Sequence, residues 1–203
     1  VVSENFPDLS GAQNLFIFAT DGSLSKEESV AAFSIVDPFQ NAFVSEVLCS
    51  KETSSTSVEL MAIEKLFQSL QESAITNSTV VLLVDSLSSL RLTLGLDVRN
   101  ELNDTLRKID ECRKILYERG MKDYFIHVRS HRRISVQLNC EADWQAGSIA
   151  LARMGEAPKP PFTKCKPNVC TEQKLCEACE WNQKVNFFLL SLRPSLLPLS
   201  IWN

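Results

Sequence analysis

Four acidic residues stand where packing alone would favour apolar side chains. Asp21 follows the apolar run Leu15-Phe16-Ile17-Phe18-Ala19 and Thr20, and Asp85 follows Val80-Val81-Leu82-Leu83-Val84. Continuous apolar runs of this length read as strands buried on both faces. In an open α/β sheet, parallel neighbours deliver their C-terminal ends to one crevice, where ligands bind. Glu59 lies one turn before Ile63 on the stripe formed with Leu66, Phe67 and Leu70, so it points towards the sheet. Asp143 falls in the first turns of the last helix of the compact region. One carboxylate at a strand end reads as a turn or cap residue. Four that converge raise one another's pKa and repel, so the cluster is costly without a cation. Oxygen donors of this kind suit Mg²⁺ or Mn²⁺, and two such ions about 4 Å apart are a standard device for phosphodiester hydrolysis.

The elements that would position these acids follow from the pattern. Strands are expected at 15–19, 29–36 and 42–48, the last two joined by the turn signal Asp37-Pro38-Phe39-Gln40-Asn41. Serines and threonines at 53–57 cap a helix running to about residue 73. A fourth strand covers 80–84, a short helix starts at Leu87, and a longer one spans about 99–119 before Gly120 stops it. The last strand covers 124–128, and a loop over 129–138 leads into a helix over about 139–154. The order β-β-β-α-β-α-α-β-α predicts an α/β fold: a five-stranded mixed sheet with helices on both faces. The organisation expected is a lead-in over 1–12, a compact domain over 13–157 and a Pro- and Cys-containing tail over 158–203.

Composition narrows the class. The chain has 203 residues, 44% hydrophobic and 23% charged, which fits a folded domain with an appendage. Its net charge of −4 argues against a stand-alone, tight, non-specific nucleic-acid binder. The charge is uneven: residues 107–133 hold nine basic and four acidic residues, a net of +5, which leaves −9 for the rest. This segment reads either as a handle for a polyanion or as a solvated helix face. Seven cysteines, of which Cys49, Cys112 and Cys140 are scattered singly, make a poor disulfide framework and suggest a reducing compartment. With no signal-peptide pattern at the start, an intracellular location, cytoplasm or nucleus, is expected. The start at Val1 suggests a piece of something larger. The apolar stretch 187–202 is interrupted by Arg193, Pro194 and Pro198 and is too short to span a bilayer, so no membrane partner is expected.

In order and spacing, Phe18-Ala19-Thr20-Asp21-Gly22-Ser23, Ser57-Val58-Glu59-Leu60-Met61-Ala62-Ile63, Leu83-Val84-Asp85-Ser86 and Ser130-His131 with Asn139-Cys140-Glu141-Ala142-Asp143 resemble the type 1 ribonuclease H family. They are most like the RNase H domains of non-LTR retrotransposon polyproteins. The resemblance covers about residues 14–154. It implies an RNase H-like fold and hydrolysis of the RNA strand of RNA/DNA hybrids by two-metal-ion catalysis. Asp21, Glu59, Asp85 and Asp143 would hold two Mg²⁺ ions, with Mn²⁺ able to substitute, and His131 would assist proton movement or product release. Gly22 and Ser23 would bring backbone close to the scissile phosphate, and Ser55 and Thr56 would touch the hybrid's minor groove, simple helix capping being the alternative for that pair. A reverse transcriptase domain covalently linked in the parent polyprotein is the implied partner. The interval from His131 to Asp143 is two residues longer than the family's usual spacing, and no Gly or Pro occurs in 132–138. Arg129 stands where retroelement versions carry proline, and no long basic insertion separates the middle helices. The alternative is a catalytically degenerate RNase H-like domain acting as a nucleic-acid-binding or scaffolding module.

In the tail, Cys165, Cys170, Cys176 and Cys179 fall in a Cys-x4-Cys-x5-Cys-x2-Cys arrangement. Cys-x2-Cys can place two thiolates on one zinc. The tail is therefore either a small zinc module or a disordered segment with free thiols, and the loose first pair favours free thiols.

Overall fold

The computed structural model describes residues 6–9, 11–12, 14–26, 29–39, 41–50, 53–130, 132, 135–153, 175–192 and 196. The first three strands are β1 (Leu15–Ser25), β2 (Val30–Val36) and β3 (Ala42–Leu48). Asp37 shapes the β2–β3 turn: its carboxylate accepts from the Phe39 and Asn41 backbone N–H groups, both at 2.9 Å, and from the Asn41 side-chain amide at 2.8 Å. Helix α1 (Ser55–Glu72) starts at a reciprocal cap. The Ser54 hydroxyl accepts from Ser57 N–H at 3.1 Å, and the Ser57 hydroxyl accepts from Ser54 N–H at 2.9 Å. Strand β4 (Thr79–Val84), helix α2 (Leu87–Thr93), a 3-10 turn (Asn100–Leu102) and helix α3 (Asn103–Glu118) follow. Gly120 closes α3 with φ +81°, its N–H bonding Tyr117 O while Met121 N–H bonds Leu116 O. Strand β5 (Lys122–His127) and helix α4 (Gln137–Arg153) complete the expected order.

The strands form one five-stranded sheet in the order β3-β2-β1-β4-β5. β1–β2 and β2–β3 are antiparallel, whereas β1–β4 and β4–β5 are parallel. Two cores cover its two faces, as the alternation of side chains requires. Phe16, Phe18, Val80, Leu82 and Val84 pack under α1 and α3 with Ile63, Leu66, Phe67 and Ile109. Leu15, Ile17, Ala19, Val81 and Leu83 pack on the other face with Val136 and Ala142. Helices on both faces of a mixed sheet are what the sequence pattern requires.

Two features differ from expectation. β1 continues to Ser25 instead of ending near Ala19, because β2 keeps pairing with it out to Ser25–Val30 after β4 has stopped opposite Thr20. Within 158–203, residues 177–192 form a helix, α5 (Glu177–Leu192). Glu177 and Glu180 in its first turn favour the positive end of the helix dipole. Cys179, Asn182, Val185 and Leu192 are its buried stripe, with Val185 and Leu192 joining the core on the α4 face. From the lead-in, Leu9 joins that core, and the Phe6 ring stacks between Trp181 and Phe188 at centroid distances of 5.2 and 4.6 Å.

Candidate active site

The offset between β1 and β4 creates the site. Thr20 pairs with Val84, so Asp21 and Asp85 are the next residues on two adjacent parallel strands. By alternation Asp21 belongs to the face covered by α4, and Gly22 to the face under α1. A Cβ at Gly22 would lie 2.7 Å from Glu59 N and 3.0 Å from the Val58 carbonyl carbon. Only glycine lets the first turns of α1 sit this close to β1, and that approach brings Glu59 to the carboxylates. The sequence expectation for Gly22 was contact with substrate; its bare Cα already has a packing role.

Carboxylate oxygens of Asp21, Glu59 and Asp85 all lie within 4.8 Å of one another. Asp21 and Glu59 are each 6% exposed, and Asp85 is half-buried. Asp21 Oδ1 accepts from Gly22 N–H at 2.6 Å, and the Asp21 and Glu59 carboxyl groups share a hydrogen bond. Burial, then repulsion from Asp85 and Asp143, holds the Asp21 carboxyl well above the usual carboxylate range. Burial, then repulsion from Asp21 and Asp85, does the same for Glu59. One oxygen of Glu59, Oε2, is buried with no hydrogen-bond partner. A buried, orphaned acceptor among like charges is a poor arrangement on its own and a good one around a cation. The donor set, all carboxylate oxygen, fits Mg²⁺ or Mn²⁺.

Asp143 stands outside the three-carboxylate group but close enough to raise the Asp21 pKa, and it is half-buried. A residue that sequence reasoning missed sets its place. Ser34, opposite Asp21 in the β1–β2 ladder and fully buried, donates its hydroxyl to the Ala142 carbonyl at 2.6 Å. This bond ties β2 to the α4 turn that carries Asp143. The signal was a lone serine within the strand Val30–Val36, every residue of which is buried. His127 was likewise passed over. Its Nε2 lies 3.0 Å from the Asp85 carbonyl, and burial pushes its pKa down, so the neutral ring donates to that oxygen.

Of the expected substrate contacts, Ser55 is exposed at the first turn of α1, beside a groove formed with Leu24, Ser25, Lys26 and Ser54. Thr56 is buried, and its hydroxyl is 3.3 Å from that of Ser88 in α2. Ser23 is half-buried on the β1 overhang. His131, Cys165 and Cys170 lie outside the described residues. Cys176 is half-buried and Cys179 is fully buried.

Four of the nine basic residues in 107–133 have partners within the fold. Arg113 Nε bonds Asp123 at 2.7 Å, and its guanidinium lies over the Phe125 and Tyr117 rings. Arg119 donates to the Gln71 carbonyl at 2.6 Å, Lys108 pairs with Glu64 at 3.2 Å and Arg107 with Glu111 at 2.8 Å. Lys114, Lys122 and Arg129 of the same segment are exposed. Among the described residues, no helix is long and apolar enough to cross a membrane.

No protein-family model matches this chain, and no curated protein does. Solved structures do. The N-terminal RNase H domain of a Mycobacterium tuberculosis protein, fused to maltose binding protein, is 11% identical with a TM-score of 0.52; the match covers 70% of this chain and 98% of that one. LC11-RNase H1, solved in complex with an RNA/DNA hybrid, is 22% identical with a TM-score of 0.50, covering 65% of this chain and 94% of that one. RNase H1 from Halobacterium salinarum is 19% identical with a TM-score of 0.47, covering 68% and 98%. The chain has the ribonuclease H fold.

Proposed function

We propose that this chain is a metal-dependent endoribonuclease that cuts the RNA strand of RNA/DNA hybrids. The observation that carries the reading is the convergence of Asp21, Glu59 and Asp85 within 4.8 Å at the end of the parallel strands, with Glu59 Oε2 buried and unpartnered. Asp21, Glu59, Asp85 and Asp143 would hold two Mg²⁺ ions, or Mn²⁺ in their place. Bound there, the ions would supply an activated water and neutralise charge at the scissile phosphate, leaving a 5′-phosphate and a 3′-hydroxyl. A cation bound there would relieve the repulsion that raises the Asp21 and Glu59 carboxyls. Asp85 is held by its backbone through His127, and Asp143 through the Ser34 bond at Ala142. His131 would move a proton or speed product release. Ser55 and Thr56, at the N-terminus of α1, and Gly22 and Ser23, on the β1 overhang, would meet the hybrid. The solved complex of LC11-RNase H1 with a hybrid supports this choice of substrate.

The motif order Asp21-Gly22-Ser23, Glu59-Leu60, Asp85-Ser86 and Ser130-His131 supports an origin in a retroelement reverse-transcription polyprotein, with a linked reverse transcriptase as partner. With a net charge of −4 over the chain, such a partner would supply much of the substrate affinity. The test is Mg²⁺-dependent cleavage of a hybrid labelled on its RNA strand. Asp85→Asn should abolish cutting, and an undiminished rate in that variant would refute the assignment.

A further inference from the structure

The matches to the mycobacterial domain and to LC11-RNase H1 leave about a third of this chain outside them. The match to the mycobacterial domain takes up 98% of that chain but 70% of this one. Helix α5 lies late in the sequence, at Glu177–Leu192, and its side chains Asn182 and Asn186 bond the backbone of one short segment. That segment, 128–136, joins β5 to α4. It contains no Gly or Pro to fix a turn. A connection with no built-in turn needs outside contacts to hold one conformation.

Helix α5 supplies them at both ends. Asn182 is fully buried; its Oδ1 accepts from Arg129 N–H at 2.9 Å and its Nδ2 donates to the Arg129 carbonyl at 2.7 Å. One side-chain amide thus satisfies both backbone groups of one residue, as a neighbouring strand would. Asn186 Nδ2 donates to the Ser135 carbonyl at 2.9 Å, just before α4 begins. Trp181 Nε1 donates to the His127 carbonyl at 2.7 Å, and His127 in turn bonds the Asp85 carbonyl. Val185 and Leu192 of α5 share a core with Val136 and Ala142, the residue before Asp143. Buried amides of this kind are costly unless matched, and all of this matching goes to the backbone beside the carboxylate site.

We propose that α5 is a working part of the nuclease, with Asn182 and Asn186 as positioning residues that set the β5–α4 connection. Through it they set Asp85 and Asp143 relative to Asp21 and Glu59. This rests on the hydrolase reading above. The helix acts through the backbone of Arg129, Ser135 and His127.

The experiment compares full-length wild type with Asn182→Leu, which keeps the packing volume and loses both bonds. Asn186→Ala, which loses one bond at a half-buried position, guards against misfolding of the first variant. Gln183→Ala, on the exposed side of α5, is the control. Hydrogen exchange over residues 128–136, Mg²⁺ affinity by calorimetry, and kcat and KM on a hybrid are read in parallel. The expected result is faster exchange in 128–136 with β1 and β4 unchanged, weaker Mg²⁺ binding, and kcat down about ten- to a hundredfold with KM within a factor of two, as for a misplaced site. Unchanged exchange in 128–136 overturns the proposal. So does faster exchange with Mg²⁺ affinity and kcat both within a factor of two of wild type. A wild type that binds Mg²⁺ and leaves the hybrid intact defeats the hydrolase reading alone, and the exchange and Mg²⁺ measurements still decide the role of α5.

Discussion

Asp21→Asn should make the metal-free protein more stable while destroying its response to Mg²⁺. Ionised carboxylates whose oxygens lie within 4.8 Å of one another repel by roughly 3.5 kcal/mol per pair or more at an effective dielectric of about 20. The wild type escapes part of this because burial and mutual repulsion hold the Asp21 and Glu59 carboxyls well above the usual range. We therefore expect a net gain of about 1–2 kcal/mol at neutral pH, or roughly 2–8 °C in Tm for a protein of this size. The pH dependence has a definite sign. A carboxyl whose folded pKa is raised costs nothing below its unfolded value near 3.9 and destabilises increasingly as pH rises through the folded value. The difference between variant and wild type should thus be absent near pH 3.5 and grow with pH. Mg²⁺ should raise the Tm of the wild type by mass action and leave that of Asp21→Asn almost unmoved. Thermal melts across pH, with and without Mg²⁺, measure all of this. A metal-free Asp21→Asn that melts several degrees below wild type at pH 7 would show that the carboxylates do not form one repulsive site.

Gly22→Ala forces its Cβ to 2.7 Å from Glu59 N, so α1 must shift; thermal melts should show a loss of about 1–3 kcal/mol, and calorimetry weaker Mg²⁺ binding. Ser34→Ala removes a buried bond to Ala142 and should cost about 1 kcal/mol in chemical denaturation, with a drop in cleavage rate from the loosened Asp143. His127 is held neutral, with its pKa pushed below 6.5 by burial, so its contribution is intact above pH 6.5 and is lost as pH falls through 6.5 towards the folded value. His127→Gln should flatten that limb of the stability profile, and an unchanged limb would exclude His127 as its source.

The acids were legible in the sequence because each interrupts an apolar pattern whose period is clear: a carboxylate after five or six buried strand residues, or on the inward stripe of α1. The β1 overhang was not, since where a strand ends depends on the length of its neighbour, and β4 stops at Val84 while β2 continues. Ser34 escaped notice because one serine in a buried strand has no periodicity to break. Helix α5 hides its logic in the same way: Asn182 and Asn186 occupy positions that an amphipathic pattern reserves for apolar residues, and their partners are backbone groups about fifty positions away. Charge counts along a chain do not register that Arg113, Arg119 and Lys108 have partners within the fold while Lys114, Lys122 and Arg129 stay exposed.

Strand selectivity tests the central claim most directly. A 2′-hydroxyl marks one strand of a hybrid and not the other, and the hybrid groove differs from those of pure RNA and pure DNA duplexes. Phosphate and sugar contacts should leave cutting largely indifferent to sequence. The full chain should cut the RNA strand of a hybrid in Mg²⁺, leave matched double-stranded RNA and DNA intact, and lose all activity in Asp21→Asn. Equal cutting of the hybrid and either homoduplex, or cutting that persists in the variant, would contradict the account.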